Sequence, residues 1–232
     1  MMQRALVRRL LVATGVASVA LGAVAFAHTA TGSAISSGLW RMAHGGCPFG
    51  YDRALSPEQR ERASAQFAQR HRGETRAPNR PSLGFTLDQT TRTQVLEQLS
   101  AHGVHCSKGH GLSDLTCLHV PSRALGVTST APERTLWFTF GTRDQLLSVV
   151  AVSRDSSAQT IGDAFRGVQH SLREQAGAPT ATSGSADSQT LAKGLLRQAS
   201  AEFRFRNYYA VERAANMGSA YVLTEEYRSL PD

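Results

Sequence analysis

Four histidines and two cysteines crowd one short stretch of the chain: His102, His105, Cys106, His110, Cys117 and His119. His-x-x-His-Cys followed by Cys-x-His supplies nitrogen and sulfur donors of the kind that bind zinc or copper. The spacing matches no closed zinc module, and a bond between the two sulfurs would remove the thiolates a metal needs. Cys106 and Cys117 bracket a polar loop, Ser107-Lys108-Gly109-His110-Gly111-Leu112-Ser113-Asp114, so theirs is the easiest of the possible pairings to close. A loop of this size stabilises the fold by roughly 3 kcal/mol on a chain-entropy argument. The rival reading of the histidines is a polar hairpin that exposes them to solvent. The remaining cysteine, Cys47, sits in Gly45-Gly46-Cys47-Pro48 near His44. An accessible sulfur beside an imidazole suits nucleophilic or redox work, but no third group that would orient the pair is identifiable. Its other readings are a disulfide partner in another molecule or a small buried side chain.

Other catalytic patterns are missing from the sequence. It has no Gly-x-Ser-x-Gly elbow, no His-Glu-x-x-His, no Cys-x-x-Cys and no phosphate-binding loop ending in Gly-Lys-Ser/Thr. Glu225 and Glu226 are adjacent on a strand pattern, point to opposite faces and are therefore poor partners for acid and base work. Glu202, Arg204 and Arg206 alternate along another strand pattern. Two readings apply there: a solvated face with cross-strand ion pairs, each of small value, or a binding face for a polyanion or lipid headgroup formed by Arg204, Arg206 and Tyr208.

The N-terminus bears on which of these chemistries can operate. Arg4, Arg8 and Arg9 precede a charge-free run over residues 10–27 that ends Ala25-Phe26-Ala27. A basic region, an apolar region and a small-x-small end are the layout of a cleavable export signal, with residues 1–27 removed. The alternative is retention as a membrane anchor, since the run is at the lower edge of what spans a bilayer. Export places the cysteines in an oxidising compartment, which favours the Cys106–Cys117 bridge over a thiolate metal site. Loss of residues 1–27 lowers the formal charge from +7 to +4. So mild a balance in an exported chain argues against nucleic acid as a partner.

The elements that would position these groups are legible from caps and periodicity. Residues 28–83 read as a tether, a turn around Cys47 and a polar helix. Ser56-Pro57-Glu58-Gln59 starts that helix with an N-cap, a proline at the first position and a capping-box glutamine. Only Phe67 and several alanines anchor it, so it should be mostly solvated. Pro78 and Pro81 then form a linker. Residues 84–232 read as an α+β globular domain with halves 84–153 and 154–232. Residues 84–88 suggest a short strand, and Thr91-Arg92-Thr93-Gln94 caps a helix with Val95, Leu96 and Leu99 as its stripe. Strand patterns follow at 115–120, 135–140 and 145–153, the last two joined as a hairpin by Gly141-Thr142-Arg143-Asp144. Ile161, Phe165, Val168 and Leu172 mark one face of a helix beginning near Ser157. A strand from Ala201 through Val211 and a partner over 220–228 make a C-terminal hairpin. The expected body is an antiparallel sheet of two hairpin or meander units with helices on one face. No sequence repeat links the halves, and one shared sheet or two separate sheets satisfy the pattern equally.

One resemblance rests on specific residues. Phe85-x-Leu87-Asp88-x-Thr90-Thr91-Arg92-x-x-Val95-Leu96-x-x-Leu99, followed by Leu136-Trp137-Phe138-Thr139-Phe140 and Leu146-Leu147-Ser148-Val149, resembles the small envelope domains of the BamE/SmpA type over residues 84–153. It departs from them in lacking a lipidated cysteine and a Gly-x-Pro after the helix, and in inserting the cysteine-bracketed loop. The resemblance implies a periplasm-facing, non-enzymatic domain engaged in protein contacts and lends no site residues. Together with strands rich in aromatic residues, more than one sheet face can bury, it leads to an expectation of an exported domain without a cofactor that binds an envelope protein or a small ligand. The membrane is a partner only if residues 10–27 are retained. The alternative is a metal-handling or thiol-redox protein built on the histidine and cysteine cluster or on Cys47.

Overall fold

The computed structural model describes residues 56–109, 114–127 and 131–230. Residues 1–27, read as an export signal, and Cys47 and His110 lie outside the described residues.

Helix α1 (Pro57–His71) begins at the expected capping box: the Ser56 hydroxyl accepts from the Gln59 N–H, and the Gln59 side chain accepts from the Ser56 N–H. Helix α2 (Arg92–Ser100) repeats the device with Thr91 and Gln94, and buries Val95 and Leu99. Helix α3 (Ala158–Ala176), capped by Ser157, buries Ile161, Phe165, Val168 and Leu172 along one stripe. A short helix α4 (Ser188–Ala192) contributes Leu191. The strands are β1 (Cys106–Lys108), β2 (Leu115–Val120), β3 (Arg134–Phe140), β4 (Leu146–Asp155), β5 (Ala181–Ser183), β6 (Gln198–Arg204), β7 (Tyr208–Asn216) and β8 (Tyr221–Ser229).

All eight form one antiparallel sheet in the order β1-β2-β3-β4-β8-β7-β6-β5. Of the two arrangements left open by the sequence, the single sheet is the one adopted. β4 pairs with β8 over residues 148–155 and 221–228 and joins the halves. Each half is a helix followed by a four-strand meander, α2 with β1–β4 and α3 with β5–β8. A trace of this repeat survives in the helix starts. Thr91, Val95 and Leu99 match Ser157, Ile161 and Phe165 as cap, fourth and eighth following residue, and the four apolar ones are all buried.

Two sequence expectations are corrected. Residues 84–88 form turns instead of a strand, although Phe85 and Leu87 are buried as the alternation requires. Gly84 and Asp88 take positive φ of 81° and 67°, which breaks an extended path. The expected long strand from Ala201 to Val211 is two strands. A tight turn in which the Phe205 N–H donates to the Tyr208 carbonyl at 2.8 Å reverses the chain. It lacks the glycine or proline that marks most hairpins, so the C-terminal half carries a four-strand meander where a two-strand hairpin was expected.

The two faces of the sheet are covered differently. Phe138, Phe140, Phe203, Tyr208 and Tyr227 lie on the face packed by α2 and α3, in the main core. Helix α1 crosses the other face, where Ala68 and Phe67 pack with Tyr209, Val211 and Leu230. The helix is mostly solvated, as expected, and buries only Arg60 and Ala68. Its Arg60 reaches Asp114 at 2.7 Å, and Glu61 accepts from the Thr142 N–H at 2.8 Å. Aromatic residues in excess of one face are therefore absorbed in part by the second.

Candidate functional site

The face of the sheet packed by α2 and α3 holds charge where a core is normally apolar. Arg134 begins β3 and is almost fully buried. Ala151 and Ser153 on the neighbouring β4 are small and share its face, leaving room for the arginine to lie across that strand. Its Nε donates to Glu225 Oε1 on β8 at 3.0 Å, and one terminal nitrogen donates to Ser122 Oγ at 2.8 Å. The Tyr227 hydroxyl donates to the second oxygen of Glu225 at 2.7 Å. Both carboxylate oxygens of Glu225 are therefore satisfied, the condition under which a buried ion pair is tolerated.

Glu212 completes the cluster. It stands directly opposite Glu225 in the β7–β8 register, on the same face, fully buried, and neither of its carboxyl oxygens has a hydrogen-bond partner. Burial, then the neighbouring Glu225 carboxylate, push its pKa up to about 9, so it is neutral at physiological pH. Burial and Glu225 also hold the Tyr227 phenol well above its ordinary value. At neutral pH the cluster thus balances one cation against one anion.

This cluster borders a groove of about 770 Å³. Arg134 and Tyr227 contribute from the sheet, Val168 and Leu172 from α3, and Phe85 from the turn before α2. The turn is held in place by Gly84, where an added Cβ would sit 2.0 Å from the Leu125 carbonyl oxygen. On α3 the groove passes Gly167, where an added Cβ would meet nothing within 4 Å. Ser82, Ser171 and Gln175 also line it, so apolar and polar groups share its surface, and its volume is in the range of a small-molecule site. Among the described residues the groove presents no histidine, cysteine or carboxylate to a bound molecule.

The residues singled out from the sequence fare unequally. Cys106 and Cys117 form the expected disulfide, directly opposed on β1 and β2. His102, His105 and His119 are exposed and line one depression of about 490 Å³ with Arg123 and Glu133. His119 Nδ1 lies 3.2 Å from Glu133 Oε2. Among the described residues no group of three or more histidine, cysteine or acidic side chains could hold a metal ion. Arg204, Arg206 and Tyr208 are not brought together, and the tight turn after β6 is the reason. Arg204 pairs with Glu202 at 2.8 Å on the α1 side, whereas Tyr208 is fully buried on the opposite side and donates to the Pro81 carbonyl. Arg206 sits in the turn, its N–H bonded to the Thr75 carbonyl at 2.6 Å. Glu225 and Glu226 do point to opposite faces, Glu226 pairing with Arg228.

Sequence reasoning missed Arg134, Glu212 and Tyr227 as a group. The available signal was parity: Glu212 alternates in step with Tyr208, Ala210 and Ala214, all buried. A charged residue in phase with a buried series is worth notice.

No family model matches the chain, and no curated protein matches it. Among solved structures, the crystal structure of a DUF4309 family protein, YjgB from Bacillus subtilis, is similar with a TM-score of 0.33 and 12% identity, covering 75% of this chain and 97% of that one. A likeness of that degree carries no argument about function.

Proposed function

We propose that this protein is an exported, non-enzymatic binding domain that takes a small ligand with both apolar and polar groups in the groove between α3 and the sheet. The observation that carries the reading is the groove itself: about 770 Å³ bordered by Val168, Leu172 and Phe85, with Arg134 and Tyr227 at the sheet. The balanced charge of Arg134 and Glu225 favours a ligand without net charge, because a buried ion added to a neutral site is left uncompensated. Export is supported by the basic, apolar and small-residue order of residues 1–27 and by the Cys106–Cys117 bridge, which persists in oxidising compartments. Among the described residues no helix is long and apolar enough to cross a membrane.

The test combines recovery and blockage. Native mass spectrometry of the protein recovered from outside the cytoplasm of an expressing cell should reveal a bound small molecule. Gly167→Leu, which places a side chain into open space at the groove, should abolish that adduct while leaving the melting temperature within a few degrees. An adduct that persists in Gly167→Leu places the ligand elsewhere, and recovery of the protein only from the cytosol with its disulfide reduced removes export.

A further inference from the structure

Three of the five large apolar side chains exposed among the described residues gather at one end of the sheet. Leu195 and Leu196 lie between α4 and β6, and Met217 in the β7–β8 turn, with exposures of 66%, 67% and 52%. The two segments are tied together. The Leu196 N–H donates to the Asn216 carbonyl and the Asn216 N–H to the Arg197 carbonyl, both at 2.8 Å. Leu195 Cδ1 lies 3.1 Å from the position a Cβ would take at Gly218. The three side chains thus form one apolar tip on a hydrogen-bonded base.

The backbone adds a second, independent observation. Leu196 has φ 61°, in the left-handed region that a leucine adopts only at a cost and that glycine enters freely. Nothing in the core offsets that cost, since the side chain points into solvent. A strained bulky residue held outward at a loop tip signals a requirement other than folding. The charge around the tip states what kind of surface meets it. Lys193 and Arg197 flank the two leucines on the same loop, and both are exposed. Apolar side chains rimmed by cations are the pattern that inserts into the boundary of a bilayer while the cations meet anionic headgroups.

We propose that the Leu195–Leu196–Met217 tip docks this protein onto an anionic lipid surface, Lys193 and Arg197 contacting the headgroups. This surface is separate from the groove beside α3 and does not depend on it.

The experiment uses the protein as recovered from an exporting cell, mixed with vesicles of phosphatidylcholine alone or with phosphatidylglycerol added. Hydrogen exchange read by mass spectrometry locates the contact, and co-sedimentation measures its strength. Slowed exchange confined to residues 193–198 and 216–220, on phosphatidylglycerol vesicles only, is the expected result. Leu195→Ser with Leu196→Ser should lower the vesicle partition coefficient at least about tenfold, given the transfer free energy of two such side chains. Lys193→Gln with Arg197→Gln should remove the preference for phosphatidylglycerol, and raised salt should do the same. All four positions are exposed, and unchanged melting of the variants verifies that folding is intact. Vesicle binding with no protection at these segments overturns the proposal. So does absence of binding, or a tip that buries itself only in a second copy of the protein, seen as concentration-dependent protection without vesicles.

Discussion

Glu212 and Glu225 face each other across the β7–β8 ladder, both buried, and only Glu225 has partners for its carboxyl oxygens. Two carboxylates directly opposed in a low-dielectric core cannot both be ionised without large cost, so the partnerless one holds its proton.

This sets a pH dependence with a definite sign. The pKa of Glu212 rises from 4.5 to about 9 on folding, so between those values the unfolded chain has released a proton that the folded one retains. Stability therefore falls as pH climbs from 4.5 towards 9 and is unaffected by this group below 4.5. At pH 7 the loss is about 3 kcal/mol. Glu212→Gln should remove that component, and urea unfolding of both proteins at several pH values should give curves that diverge from pH 5 upward, with the wild type falling faster. Parallel curves would show that Glu212 is ionised in the folded protein.

Among the described residues of the cluster, Arg134 supplies the charge that balances Glu225. Arg134→Met strands that carboxylate among apolar groups and should destabilise by about 3–5 kcal/mol. Adding Glu225→Gln to the same chain should recover much of the loss, because the stranded charge is gone. A double-mutant cycle in guanidinium measures this directly, and strict additivity would contradict the pairing.

The Cys106–Cys117 bridge closes a short hairpin at the edge of the sheet, the two residues being 11 apart in sequence. Replacing both by alanine should lower stability by roughly 3 kcal/mol. Reductant should lower the wild-type unfolding midpoint to that of the double variant and leave the variant unmoved.

Leu196→Gly relieves a left-handed leucine at a position that contributes nothing to the core. The expected outcome is a gain of about 1 kcal/mol, strain relief exceeding the entropy cost of the added glycine. The thermal midpoint checks it, and a loss of stability would mean that the Leu196 side chain makes contacts the fold depends on.

What the sequence disclosed depended on how local each signal was. Capping at Ser56, Thr91 and Ser157 is written within a few residues, so the three main helices were readable with their starts. The disulfide was equally local. The Phe205–Tyr208 turn was hidden because Asn207 is its lone turn-favouring residue, with no glycine beside it, and β1 and β5 because three-residue edge strands have no periodicity. The charge cluster was hidden for a different reason: Arg134, Glu212 and Glu225 come from three strands whose adjacency exists only once β8 has paired with β4. The groove inherits that limitation, being lined by segments far apart in the chain. Of the residues nominated for polyanion binding, only Arg204 lies on the face assigned to it, since the unseen turn moved Tyr208 to the other side.

The pairing of β4 with β8 governs how this molecule is made. The first meander is complete at residue 155, but its inner edge stays open until residues 221–229, the final strand, have arrived. A polypeptide emerging amino end first would expose that unsealed edge until β8 followed, and Arg134 would wait for its counter-ion until Glu225 emerged. Assembly of the centre therefore waits on β8, and deleting residues 221–229 should prevent the whole sheet from closing, not merely fray one side of it.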